Sequence, residues 1–310
     1  MRIGITGSNG FIGTSLLSFL AQSPHELIRV IRRSSTSVLP PSNCPIEVVH
    51  GDLSSPKICE EFVHDIDVIF YLAHCNSPAT SELDLPSDAS LNVIPLLTLI
   101  QAIRNAKSNP HFVYFGSGGA VYENRSQRIP FKETDPCGPV SSYGIQKLMA
   151  EQYLKVAASR SELTATVLRV GNAYGSTLSI FRKQGLIGVT IGNVMQGRPV
   201  TLFGDLGNVR DNIHLEDICQ LCSLVLSPIR PFEVYNVGTG VGYSVREVLC
   251  IIEECLGSKI PYQIVDSPWG ADVFPPWCVL DITKVKAEVG WFPKVSLIEG
   301  IKRVIKAGHS

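Results

Sequence analysis

The 310-residue sequence has no apolar run approaching the roughly 18 to 20 residues that cross a bilayer. Its opening, MRIGITG, reads directly as a strand and lacks the basic-then-apolar pattern of a signal peptide. A cytoplasmic location with no membrane partner is therefore expected. Charge of one sign is also missing: 27 basic residues stand against 28 acidic ones, for a net charge of -1. That balance gives no reason to expect nucleic acid or an anionic lipid surface as a partner. Nine cysteines, an odd number scattered along the chain, do not make the dense framework of a small disulfide-bonded domain, so reduced thiols are expected. Cys219 and Cys222 form a CxxC, but on a predicted helix (HLEDICQLCSLVL) with no second ligand pair nearby. Core packing is the better reading there, and no metal site is expected. Internal repeats and low-complexity tracts are absent as well.

What is present is an ordinary apolar content, 45% hydrophobic against 18% charged, enough for a large core in one or two domains. Six short runs rich in β-branched residues, RIGIT, LIRVI, IEVVH, DVIFYLA, HFVYFGS and ATVLRV, alternate with segments of helical period. This alternation predicts an α/β fold: a doubly wound parallel sheet of the Rossmann type over residues 1–172. Beyond it the pattern loosens into strand-like PVTLF and EVYNVG with helices near 214–227, 244–256 and 296–307. A smaller mixed α/β substrate domain over 173–310 is expected, with the strand near 233–238 a candidate to return to the first sheet. A cleft between the two would lie at the carboxyl edge of the strands, where such sheets bind ligands.

GITGSNGFIG places Gly7, Gly10 and Gly13 between the first strand and a helix. Glycines there bring backbone amides against a pyrophosphate, whose charge is favoured at a helix N-terminus. After the second strand such a site usually carries an acidic residue for the adenosine ribose. Here the stretch is IRVIRRSS, and Arg32 and Arg33 favour a 2′-phosphate, which leans the cofactor from NAD towards NADP. Alternatively both are solvated surface charges and the cofactor is NAD. Asp52, in HGDLSS, faces the adenine edge or simply stabilises a turn. His74, in YLAHC, ends the fourth strand where a cofactor must pass, as a neighbour rather than a catalyst.

In SSYGIQK, Tyr143 and Lys147 stand four apart on a predicted helix and so share one face. A nearby ammonium lowers a phenol's pKa, which would let Tyr143 take a hydroxyl proton while hydride leaves the same carbon. The spacing alone is common on helix surfaces. Its position after the fifth strand, following GSGGAVY with Ser117 as a donor to a substrate oxygen, favours the catalytic reading.

Taken in order, TGSNGFIG, GDL, YLA, LNV, GSGGAVY, SSYGIQK, LRVGNAYG, RDNIHLEDI, YNVGTG and VGWFPKVSLIEGI resemble the extended short-chain dehydrogenases/reductases, in the nucleotide-sugar epimerase/dehydratase group typified by UDP-glucose 4-epimerase. The resemblance covers nearly the whole chain. It implies a bound NAD or NADP touched by Gly7, Asn9, Gly10, Phe11, Ile12, Gly13, Asp52, Leu53, Leu72, Ala73, His74 and Asn92, with a nucleoside-diphosphate sugar as substrate. Tyr143 matches the family's base and Lys147 its ribose-binding partner; Asn172 and Arg210 match contacts to the sugar nucleotide and its diphosphate. A homodimer through helices near 88–106 and 142–159 is also implied.

Two positions depart from the family pattern. Gly118 stands where a serine or threonine is usual, which leaves Ser117, or failing it Ser141 or Ser142, to supply the hydroxyl. Trp269 stands where many relatives carry a diphosphate-gripping arginine; it can stack on a base or seal a lid but cannot neutralise phosphate, so either Arg182 or Lys183 compensates or the substrate differs. An epimerase is the leading expectation. An NADPH-dependent reductase of a 4-keto nucleotide sugar is the nearest rival, and a non-catalytic dinucleotide-sensing regulator is a rival of another class.

Overall fold

The computed structural model describes residues 1–33, 38–76, 80–175, 185–266 and 275–308. Trp269, Arg182 and Lys183 lie outside them. The first six strands are β1 (Arg2–Thr6), β2 (Leu27–Arg32), β3 (Ile46–His50), β4 (Val68–Tyr71), β5 (His111–Ser117) and β6 (Thr164–Val170). Between them run α1 (Phe11–Leu20), α2 (Pro56–Val63), α3 (Leu85–Ala106) and α4 (Ser142–Ser159). The strands are short, nearly continuous apolar runs because both faces of a parallel sheet are covered. β4 is buried at all four positions and β6 at six of seven.

Further along come β7 (Asn172–Tyr174), α5 (Leu186–Met195), β8 (Val200–Phe203), β9 (Val209–His214), α6 (Leu215–Leu224), β10 (Phe232–Val237), β11 (Gly242–Ser244), α7 (Val245–Leu256), β12 (Tyr262–Val265), β13 (Trp277–Cys278), α8 (Thr283–Val289) and α9 (Leu297–Gly308). The main sheet has seven parallel strands in the order β10-β6-β5-β4-β1-β2-β3. This is a doubly wound, Rossmann-type sheet. Its order reverses between β1 and β4, and a ligand-binding crevice opens at the carboxyl ends of such a pair.

One face of the sheet packs Phe62, Leu99, Phe112 and Leu154 beneath α2, α3 and α4. The other packs Leu16, Ile28, Phe70, Ile218 and Tyr235 beneath α1, α6 and α8. Cys219 and Cys222 belong to that second core, and burial pushes the Cys219 thiol up to about 12. A third core, around Ile191, Leu202, Ile252 and Ile301, joins α5, α7 and α9. β9 centres a separate small sheet with β7, β11 and β13. Among the described residues no helix is long and apolar enough to cross a membrane.

Arg169 is the one charge inside β6. Its guanidinium forms two hydrogen bonds with Glu151 of α4, at 3.1 and 2.7 Å, with both side chains almost fully buried. Removing one partner of such a pair typically costs about 3 to 5 kcal/mol, because the other charge is left stranded. The pair fixes α4, and with it the Tyr143 and Lys147 side chains, against the sheet.

Candidate active site

The chain leaves β1 at Gly7, whose φ is +68°, and a Cβ there would lie 2.7 Å from the backbone of Leu72 and Ala73. Only glycine allows this approach, which brings the loop against the end of β4. The Thr6 hydroxyl accepts from the amides of Leu72 and Ala73 at 3.2 and 3.3 Å, joining the two strand ends. α1 begins at Gly10 with no side-chain cap and no acidic residue in its first turn. The Ser8 hydroxyl in the same loop is buried without a protein partner. An uncapped helix start beside an unpartnered hydroxyl fits the pyrophosphate of a dinucleotide, with Asn9, Gly10, Phe11, Ile12 and Gly13 forming its cradle.

Arg32 and Arg33 do not form the pair of solvent-facing cations on which the lean towards NADP rests. Arg32 is 6% exposed, because β2 lies between two neighbours under helices on both faces. Arg33 is paired with Asp52 at 2.6 Å. Burial alone would raise the Asp52 carboxyl, yet hydrogen bonds from Ser54 and the Arg33 charge hold it below the usual range. Asn92 also differs from expectation. Its oxygen accepts from the Cys75 amide at 2.7 Å and its nitrogen donates to Asp88 at 2.9 Å, so it braces the His74–Asn76 segment rather than offering its amide to a ligand.

Across the crevice, Ser141 caps α4 by accepting from the Gly144 amide at 3.2 Å, and the helix presents Tyr143 and Lys147 to the end of β5. A Cβ at Gly144 would stand 2.3 Å from the Ala120 carbonyl oxygen, so the helix start lies directly on the loop after β5. The Ser117 hydroxyl lies beside Tyr143, where it acts to lower the phenol's pKa. Lys147, 7% exposed, donates to the Phe115 carbonyl at 2.9 Å, with its Nζ 5.6 Å from the Tyr143 ring centre.

The expected lowering of the Tyr143 pKa by Lys147 is not found. Burial pushes Tyr143 up to about 12, with the Ser117 hydroxyl acting the other way, and burial brings Lys147 down to about 8 despite the Glu151 charge. The ammonium is turned to the Phe115 carbonyl, so desolvation of the phenol dominates.

A side chain at Gly118 would crowd Leu280, whose Cδ1 lies 2.5 Å from the Cβ position, and the Arg169 carbonyl oxygen at 3.0 Å, so the family's hydroxyl would fit there only if Leu280 shifted. Ser117 is the serine whose hydroxyl acts on the Tyr143 phenol. Ser141 is spent on the cap, and the Ser142 hydroxyl donates to Asp88 at 3.1 Å. Asn172 faces the same loop: its side-chain oxygen is 3.8 Å from where a Gly119 Cβ would be. β7 pairs with β9, setting Asn172 opposite Asn212. Arg210, two residues before Asn212 on β9, donates to the Val209 carbonyl at 2.7 Å and has no carboxylate partner among the described residues; burial lowers its pKa. The adjoining turn is held by Asp211, which accepts from Thr239 and Gly240.

One residue that the sequence reading did not single out, Asp88, sits at the centre of the helix contact. Asp88, fully buried on α3, accepts from Asn76 (2.6 Å), Asn92 (2.9 Å), Ser142 (3.1 Å) and Gln146 (2.5 Å). A buried carboxylate with four donors locks α3, α4 and the β4 exit together. His74, expected as a neighbour, stands edge-on to Tyr143 with ring centres 5.0 Å apart and an interplanar angle of 87°.

A parallel sheet with a glycine cradle on one side of its crevice and a tyrosine–lysine pair on the other defines a class, the nicotinamide-dinucleotide-dependent enzymes. Within it, the chain belongs to the NAD dependent epimerase/dehydratase family, whose model matches residues 3–238. The chain is 28% identical to a dTDP-4-dehydro-6-deoxyglucose reductase of Escherichia coli, over 98% of this chain and 96% of that protein. It superposes on UDP-glucose 4-epimerase from Thermotoga maritima, solved with UDP-glucose, with a TM-score of 0.88 and 30% identity, over 99% of this chain and 98% of the other. It superposes equally on Thermus thermophilus UDP-glucose 4-epimerase, solved with NAD, with a TM-score of 0.88 and 28% identity, over 100% of this chain and 99% of the other.

Proposed function

We propose that the chain is a nucleotide-sugar 4-epimerase that retains NAD through turnover. The meeting of Ser117, Tyr143 and Lys147 opposite the glycine cradle carries this reading. When bound, the dinucleotide supplies the hydride acceptor and donor that interconvert a sugar carbinol and its ketone. Tyr143 would take the sugar hydroxyl proton as a phenolate, a form that the positive charge of the bound oxidised nicotinamide would favour against the burial that raises the phenol; Ser117 would orient the reacting oxygen, and the remaining protons of Lys147 would hold a ribose hydroxyl. Residues 1–172 hold the cofactor and 173–310 most of the sugar nucleotide, with Asn172, at the boundary, contacting the sugar nucleotide and Arg210 its diphosphate. Gly7 to Gly13, Leu53, Leu72 and Ala73 line the dinucleotide. Tying Arg33 to Asp52 favours NAD, since a 2′-phosphate would have to compete with that carboxylate.

A second reading, an NADPH-dependent 4-keto nucleotide-sugar reductase, is favoured by the similarity to the Escherichia coli reductase. The two differ in cofactor traffic: an epimerase keeps its cofactor and a reductase exchanges it. An outward stripe of Leu91 and Ile94 on α3 with Ile145, Tyr153 and Val156 on α4, each 38 to 56% exposed, supports a homodimer. The nine free thiols support a reducing, cytoplasmic setting.

The test combines native mass spectrometry with turnover of UDP-glucose to UDP-galactose. Tyr143→Phe should keep NAD on the purified protein and lose about 10²- to 10⁴-fold in kcat. Undiminished turnover would remove Tyr143 from the chemistry, and stoichiometric oxidation of added NADPH by a 4-keto nucleotide sugar, without UDP-glucose turnover, would establish the reductase.

A further inference from the structure

A cavity of about 10 Å³ is lined by Tyr71, His74, Asn92, Tyr114, Gln146 and Met149, among others. That volume is about the lower limit for one water molecule. Three polar atoms of its lining residues are buried without a protein partner: the Tyr71 hydroxyl, His74 Nε2 and Gln146 Oε1. Tyr71 is 3% exposed and Gln146 8%. Three unpartnered polar atoms on residues lining one water-sized space is a rare coincidence in a native interior, where such groups are almost always paired.

The orientation of Gln146 is fixed by its own contacts. Its nitrogen donates to the Asp88 carboxylate at 2.5 Å and to the Ser142 hydroxyl at 3.1 Å, which leaves the oxygen as an acceptor. Tyr71 is held by stacking on Phe112, with ring centres 5.7 Å apart, and by Tyr114 at 6.0 Å. His74 is the least constrained of the three, and its ring edge bears on Tyr143.

We propose that Tyr71, His74 and Gln146 bind one internal water molecule, and that this water holds the His74 ring against Tyr143, making His74 and Gln146 positioning residues for the base. The donors and acceptors balance: the water donates to Gln146 Oε1 and to His74 Nε2, and accepts from the Tyr71 hydroxyl. His74 then carries its proton on Nδ1. All three partners are uncharged, because burial raises the Tyr71 phenol and, together with the Lys147 charge, brings His74 down to about 2. The chain of support runs from Asp88 through Gln146 and the water to His74, and ends on the Tyr143 ring. A catalytic group displaced by about 1 Å can lose on the order of 10²-fold in rate, which gives such a buttress its value.

The catalytic half of this inference rests on Tyr143 being the base; the water site does not. The test therefore has two arms, both on the NAD-loaded protein. A crystal structure at about 1.5 Å should show one water within hydrogen-bond reach of all three atoms, and Tyr71→Phe and Gln146→Met should each remove or displace it. A dry cavity in the unaltered protein overturns the proposal whatever the activity. In the kinetic arm, both variants should lower kcat about 10-fold with KM for UDP-glucose unchanged, whereas a merely destabilised fold lowers active-enzyme concentration without altering the pH profile of the active fraction. An unchanged kcat in Tyr71→Phe, with the water lost, overturns the buttress while leaving Tyr143 as the base.

Discussion

His74 offers a quantitative test of the interior around Tyr143. In the folded chain its imidazole is brought from 6.5 down to about 2, first by burial and then by the Lys147 ammonium. Lys147 is the charged group facing it; Tyr143, Tyr71 and Tyr114 are the other titratable neighbours, and all three phenols are raised by burial. Between the two values the unfolded chain binds a proton that the folded chain does not. Stability from this group is therefore complete above about pH 6.5 and is lost progressively as the pH falls towards 2. At pH 5 the gap to the unfolded value is about 1.5 units, and at about 1.4 kcal/mol per unit the loss is about 2 kcal/mol. His74→Gln removes the titration and keeps a polar side chain. Urea unfolding of both proteins at pH 7 and pH 5, at one ionic strength, should show their stability difference shifting by about 2 kcal/mol in favour of the variant. Other acid-sensitive groups, such as His111, which burial brings down to about 4, are common to both proteins and cancel. Parallel losses in the two proteins would mean that His74 is solvated, and would refute the packing of its ring against Tyr143.

Ser117→Ala should reduce kcat by about 10²-fold, whereas Ser141→Ala should cost about 1 kcal/mol through the lost α4 cap and leave the chemistry nearly intact; steady-state kinetics with urea unfolding separates the two. Restoring the family residue by Gly118→Ser should not add activity: its Cβ would stand 2.5 Å from Leu280, at a cost of about 1 to 3 kcal/mol measurable by the same unfolding curves. Val156→Asp, on the outward face of α4, should shift the protein from dimer to monomer in light scattering coupled to size exclusion.

The main sheet could be read in advance because each strand is a short run of β-branched residues bounded by turn formers, and burial on both faces makes that pattern unmistakable. The tyrosine–lysine pair was equally visible, since four-residue spacing on a helix is a local property. Arg32 was misjudged for the same reason that the strand was recognised: a residue inside a doubly covered strand is buried whatever its charge, and the doublet with Arg33 disguised this. Asp88 gave no local sign. Its partners Ser142 and Gln146 are 54 and 58 residues away, and only the packing of two helices brings them together. The raised Tyr143 pKa was likewise invisible, because spacing indicates that a cation is near but not where it points.

Helix α4 would gain about 0.5 to 1 kcal/mol of intrinsic propensity if Gly144 were alanine. An engineer seeking thermal tolerance would make that change first. In this chain the methyl group would have to occupy the place of the Ala120 carbonyl oxygen, so the helix would be driven off the floor on which the reacting phenol rests. The flexibility penalty at this one position is thus the condition for closeness, and removing it would cost the protein heat resistance as well as turnover, since the overpacking outweighs the gain in propensity.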